Sequence, residues 1–223
     1  MRITAMFKTT NPQAHVILIH GLGRRASSLR RVAARLQAQG YAVTSWGYAS
    51  RTYTLDRLAR QLAVIVGEIV QVGQPIHCVT HSMGALVLRR CLAQTSLPQL
   101  GRIAMLAPPN NGSQLARHLL HCPFARHALG PAGCALADST AIAATCAIPH
   151  TPVMVIAGTR ATDLRNPAAL LGAHVLEPPH DGTVMVRETL LPRMNRFIEV
   201  DACHTWIMNH PQTLDAISTF LAE

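Results

Sequence analysis

Lysine is nearly absent from this sequence. Lys8 is the only one among 20 basic residues, so the formal net charge of +9 is almost all arginine. The arginines are spread over prospective helix faces instead of gathering in a tail. No zinc-finger, homeodomain or RNP-like segment accompanies them, which argues against a nucleic-acid partner. Solvated faces of amphipathic helices explain such a charge; weak contact with an anionic surface is the alternative. Long apolar runs are missing too. No stretch of about 18 apolar residues occurs, so no transmembrane helix is expected. Residues 1–13 lack a basic segment followed by an apolar one, so no signal peptide is read and a cytoplasmic location is expected. None of the six cysteines (Cys78, Cys91, Cys122, Cys134, Cys146 and Cys203) forms a C-x-x-C pair. Cys122, Cys134 and Cys146 share one segment in which any two could bridge, but without an export signal free thiols are expected. His118, His121 and Cys122 are metal-ligand types, yet no second cluster completes a zinc site, so no metal is expected.

What is present is a chain of 223 residues, 49% apolar, which fits one domain over 1–223 with a sizeable core. Strand signals fall at 16–20, 41–46, 76–80, 102–106, 152–157 and 196–200. Helix signals lie between them. In 27–39, Leu29, Val32, Ala33 and Leu36 recur at helical spacing before Gly40. In 54–71, Leu55, Leu58, Leu62, Ile65 and Ile69 form a stripe. Residues 84–94 and 212–221 read as two further helices. Such alternation predicts an α/β fold: a mostly parallel sheet of about six strands with helices on both faces, three layers in all. Right-handed crossovers then gather the loops after the strands at one sheet edge.

Chemistry enters at Val79-Thr80-His81-Ser82-Met83-Gly84, where strand, sharp turn and helix meet. This is the nucleophile-elbow arrangement, with Thr80 replacing the first glycine of G-x-S-x-G. Upstream, the strand His15-Val16-Ile17-Leu18-Ile19 ends in His20-Gly21-Leu22-Gly23. Glycines there leave backbone N–H groups accessible, as an oxyanion needs. Two later segments follow: His180-Asp181-Gly182-Thr183-Val184 and Ala202-Cys203-His204-Thr205. In these four segments the chain resembles the α/β-hydrolase superfamily, and within it small bacterial lipases and esterases with a minimal cap. The order serine, aspartate, histidine is the one that superfamily uses.

The resemblance implies a catalytic triad of Ser82, Asp181 and His204, with an oxyanion hole from the N–H groups of Leu22 and Met83. Asp163 is the rival acid, being nearer the end of the strand at 152–157. His20 and His81 belong to the turns and are read as structural, and His180 as a neighbour of the acid. The stretch 108–150, opening Pro108-Pro109-Asn110-Asn111-Gly112, stands where the superfamily carries its cap. One or two small helices lining an acyl pocket are expected there, with residues 113–120 the clearest. Trp46, Tyr48, Leu115, Trp206 and Met208 are apolar and near loop ends, so they line a pocket or belong to the core. Arg24, Arg25, Arg30 and Arg31 directly follow the first strand. They are either a solvated helix face or a positive patch at the site mouth that would attract a carboxylate or phosphate. The expected activity is cleavage of a small-molecule or lipid ester through an acyl-enzyme, without metal or cofactor, fading on acidification through roughly pH 6 as a histidine base protonates. Thioester, amide or acyl-transfer chemistry would use the same residues, and a ligand receptor or scaffold the same fold.

Overall fold

A computed structural model describes residues 14–70, 74–162 and 174–223 of the protein. Six strands form a single sheet: β1 (His15–Ile19), β2 (Ala42–Trp46), β3 (Ile76–His81), β4 (Leu100–Leu106), β5 (Val153–Gly158) and β6 (Arg196–Val200). Their spatial order is β2-β1-β3-β4-β5-β6, and every neighbouring pair is parallel. The unbroken apolar runs of β1 and β5 are buried along their whole length, as strands covered on both faces must be.

Alternation along the strands sorts those side chains into two cores. Ile17, Ile19, Cys78, Ile103, Met105 and Val155 face one side, where α2 (Leu55–Val70) and α3 (Gly84–Gln94) pack. Val16, Leu18, Val79, Ala104, Met154 and Ile156 face the other. There they meet α1 (Arg30–Ala38), through Val32 and Leu36, and the closing helix Pro211–Ala222, through Ile217, Phe220 and Leu221. Each fully buried Val, Leu, Ile, Met or Phe among them contributes about 1.5–3 kcal/mol by leaving water. The architecture is a three-layer α/β/α sandwich.

Between β4 and β5 stand three helices where one or two were expected: α4 (Gln114–Leu119), α5 (Pro123–Ala135) and α6 (Ser139–Thr145). The difference has a local cause. Helix α5 carries Gly130-Pro131 in its middle, with Gly130 at φ 67°, ψ 178°, so it is two helical pieces joined at a kink. A glycine-proline pair reads in sequence as a break, and the stretch lacks a clean apolar stripe. The expected helix at 27–39 begins instead as a 3-10 turn, Ala26–Leu29, before α1. A four-residue helix, α7 (Val186–Thr189), precedes β6, and the closing helix is α8 (Pro211–Ala222). Asp163 and much of the stretch 162–179 lie outside the described residues. Among the described residues no helix is long and apolar enough to cross a membrane, and no disulfide forms.

Candidate active site

Parallel register brings the two glycine-bearing turns side by side. Ile19 pairs with Thr80, so the residues that follow, His20-Gly21 and His81-Ser82, leave the sheet at the same edge. Ser82 lies on the turn between β3 and α3 with φ of 53°, in the left-handed region, a conformation that costs a non-glycine residue about 1–3 kcal/mol. Backbone bonds hold it there. The Ser82 N–H donates to the Leu106 carbonyl at 2.8 Å, and the Ala85 N–H to the Ser82 carbonyl at 3.0 Å. A Cβ on Gly84 would stand 2.5 Å from the Ile19 carbonyl oxygen, so only glycine lets α3 begin this close to β1. Thr80, in the position of the missing glycine, is fully buried, and its hydroxyl finds no partner among the described residues.

His204 and Asp181 reach this serine from the far side of the sheet. His204 Nδ1 is 2.7 Å from Asp181 Oδ2, and His204 Nε2 is 3.0 Å from Ser82 Oγ. A carboxylate only accepts, so Nδ1 carries the proton and the Nε2 lone pair faces the serine hydroxyl. The other Asp181 oxygen, Oδ1, accepts from the N–H groups of Thr183 at 2.9 Å and Val184 at 2.7 Å. The His204 N–H in turn donates to the Asp181 carbonyl at 3.0 Å, which fixes the two loops to each other. Their crossing needs Gly158 at the end of β5. A Cβ there would lie 2.4 Å from the Ala202 carbonyl and 2.8 Å from Asp181 Cβ. Asp201 points elsewhere and pairs with Arg160.

The two histidines of the turn motifs hold backbone in place. His81 Nε2 lies 3.0 Å from the His204 carbonyl and donates to it, tying the elbow to the loop of His204. Burial, reinforced by the neighbouring His204, keeps His81 well below the ordinary imidazole range and therefore neutral. His20 is fully buried, and burial lowers its pKa as well. It stacks on Tyr48 with ring centroids 4.1 Å apart, and the Tyr48 hydroxyl donates to the His20 carbonyl. Ser50 Oγ accepts from the Gly23 N–H at 2.9 Å. The loop after β2 thus braces the His20-Gly21-Leu22-Gly23 turn from behind. Among the described residues, no acceptor takes up the N–H of Leu22 or of Met83. His180, whose Nδ1 accepts from Gly182, is also lowered by burial.

A cavity of about 230 Å³ opens over the serine. Ser82, His81, His204 and Arg24 form its polar side, and Leu22, Leu115, Leu119, Leu129 and Leu136 its apolar side. The last four of these leucines lie on or beside α4 and α5. Of the residues expected to line a pocket, Leu115 is therefore brought to the serine. Trp46 and Tyr48 stack on each other behind the His20 turn, centroids 4.3 Å apart, and line a separate surface groove. Trp206 and Met208 line a second, larger cavity of about 720 Å³ on the other side of Arg24. Tyr48 as a brace and Gly158 as a gap had no signal in the sequence, because both act through strands distant in the chain. Glu188 likewise carries no signal in the sequence. Its buried carboxylate accepts from the N–H groups of Gln114 and Met185, joining α7 to the start of α4, and burial raises its pKa.

A parallel sheet covered on both faces, with a strained serine at its carboxyl edge and a histidine and carboxylate in succession behind it, defines the hydrolase class of α/β folds. The sequence matches the alpha/beta hydrolase family over residues 16–217, and the chain belongs to that family. Several solved structures share the fold. The mature lipase BlEst2 of Bacillus licheniformis superposes with a TM-score of 0.82 at 18% identity, covering 99% of this chain and 98% of that one. Phospholipase PlaB of Legionella pneumophila gives 0.70 at 19%, over 93% of this chain and 56% of that one. An esterase of Pyrococcus furiosus gives 0.63 at 19%, over 95% and 82%. No curated protein matches the sequence.

Proposed function

We propose that this chain is a serine hydrolase that cleaves carboxylic esters through an acyl-enzyme. His204 Nε2 takes the proton of Ser82 Oγ as that oxygen attacks the ester carbonyl. The negative charge that develops on the carbonyl oxygen is held by the N–H groups of Leu22 and Met83, each worth about 3 kcal/mol of barrier in sites of this kind. The tetrahedral intermediate collapses, the alcohol leaves with the proton from His204, and Ser82 keeps the acyl group. Water then attacks under the same base, releasing the acid and restoring the serine. Asp181 keeps the imidazole in the tautomer that can accept and stabilises its cation.

The observation that carries this reading is the unbroken hydrogen-bonded chain from Ser82 through His204 to Asp181, opening into a leucine-lined cavity. At about 230 Å³ that cavity lies below the range usual for drug-sized ligands. It suits a short or medium acyl chain lying beneath α4 and α5, which act here as a minimal cap. A small-molecule or lipid ester is the expected partner. Two bare N–H groups beside the serine add support, since a turn without a catalytic role has no reason to leave them unpaired.

The test is a panel of 4-nitrophenyl esters of increasing acyl length. Turnover should be highest for short to medium chains and should fall steeply once the chain outgrows the cavity. Ser82→Ala should lower turnover by about four orders of magnitude or more. Equal rates for the variant and the wild type would remove Ser82 from the chemistry.

A further inference from the structure

The larger cavity carries a feature that ester cleavage alone does not use. Five arginines line it, Arg24, Arg25, Arg30, Arg31 and Arg160, against one carboxylate, Asp201. That carboxylate is already engaged by Arg160 at 2.6 Å. Among the described residues, no carboxylate stands within ion-pair distance of Arg24, Arg25, Arg30 or Arg31. Gathering like charges around a concave surface is unfavourable unless something anionic is meant to sit there. Arg25, Arg30 and Arg31 are exposed, so their guanidinium groups can reach a ligand without breaking internal bonds.

Position says which part of a substrate would enter. Arg24 and Thr205 line both cavities, and Arg24 Nη2 donates to the Thr205 carbonyl at 3.0 Å, next to His204. The leucines take the acyl side of the scissile bond. His204 hands its proton to the departing alcohol, so the alcohol lies on the His204 side, where Thr205 and Trp206 lead into the arginines. Trp206 is 43% exposed, enough apolar surface to cover the carbon skeleton of that alcohol.

We propose that this cavity holds a phosphate carried on the alcohol half of the ester, which makes the substrate class acyl esters of phosphorylated alcohols. The proposal rests on the ester-hydrolase reading above. A phosphate monoester brings about two negative charges and three strong acceptor oxygens. Arginine forks match that geometry, and Arg25, Arg30 and Arg31 can close on it from the 24–31 segment, with Arg160 held on Asp201 at the rim. A single carboxylate would satisfy only one such fork, and a neutral alcohol none.

The experiment compares kcat/KM on two dissolved esters of equal acyl length, 1-butanoylglycerol 3-phosphate and 1-butanoylglycerol, with 4-nitrophenyl butanoate as the neutral reference. Wild-type protein should prefer the phosphorylated ester by roughly tenfold or more, mainly through KM. The preference should shrink as salt is raised. In the Arg25→Gln/Arg30→Gln/Arg31→Gln variant, it should disappear while the rate on 4-nitrophenyl butanoate stays unchanged. Titration calorimetry with glycerol 3-phosphate should show binding to wild type and loss of it in that variant, whether or not an ester is cleaved. Cleavage of the neutral reference without preference for the phosphorylated ester would overturn the proposal and leave the esterase reading intact. No cleavage of any ester would defeat the esterase reading instead. The phosphate site then stands or falls on the calorimetry. Binding of the wild type to anionic vesicles, lost in the triple variant with no discrimination between the dissolved esters, would reassign the arginines to a lipid surface and also overturn it.

Discussion

In the proposed mechanism three side chains and two backbone N–H groups carry the chemistry, and their placement is decided by what stands behind them. That Ser82, His204 and Asp181 stand in hydrogen-bonded succession was legible in the sequence, because each lies in a short contiguous motif at a strand end. Gly158 was not. Its importance arises only when the loops of Asp181 and His204 cross over β5, with a would-be Cβ 2.8 Å from one and 2.4 Å from the other. Gly158→Ala should therefore displace both loops. A shift approaching 1 Å costs about 10²-fold in rate, so kcat should fall at least that far, with a lower thermal midpoint. Wild-type kinetics and melting in the purified variant would show that the crossing has slack. Tyr48 makes the same point. Its aromatic ring suggested a pocket, but the sequence does not reveal that the strand register places it against His20.

At the level of elements, β1 and β3 declared themselves through apolar runs, and α1 and α2 through helical spacing. The insertion between β4 and β5 did not, since its signals conflict: alanine and leucine favour helix, while Gly130-Pro131 breaks it. The structure uses that break. Gly130 lies against the Arg51 carbonyl so closely that a Cβ would stand 1.8 Å from its oxygen. Its φ of 67° is also one that L side chains avoid. Gly130→Ala should cost about 2–4 kcal/mol and push α5 away from the body, taking Leu129 out of the cavity wall. Denaturant titration should show the loss of stability, and the acyl-length profile on nitrophenyl esters should flatten. Unchanged stability would mean that α5 is not seated as described. Arg89, buried on α3, complements this contact from the other side. It donates to the carbonyls of Asn110, Cys146 and Ala147 and so anchors both ends of the insertion.

For the molecule as a whole, burial sets the response to acid. His15, His20, His77, His81 and His180 are all held below the ordinary imidazole range, with burial the leading cause in each. The unfolded chain protonates them near pH 6.5 while the folded chain resists. Stability is therefore full above about pH 6.5 and lost as the pH falls. A strongly depressed histidine such as His81 costs up to about 1.4 kcal/mol for each pH unit below that point. Glu188, raised by burial, opposes this at lower pH, because its protonation relieves the folded state. Urea midpoints at pH 7.5, 6.5 and 5.5 should fall in that order, and a midpoint that holds or rises would contradict the sign. The order of motifs and the parallel sheet were readable at this scale because alternation of strand and helix leaves few topologies. The arginine-lined cavity was only half readable: Arg24, Arg25, Arg30 and Arg31 are neighbours in sequence, but Arg160 and Trp206 join them only through the fold. One measurement bears on the central claim directly. Intact-protein and peptide mass spectrometry after treatment with a fluorophosphonate should find one adduct, on Ser82, formed at a rate that collapses in His204→Ala. A folded protein that takes up no label, or takes it elsewhere, would contradict the account.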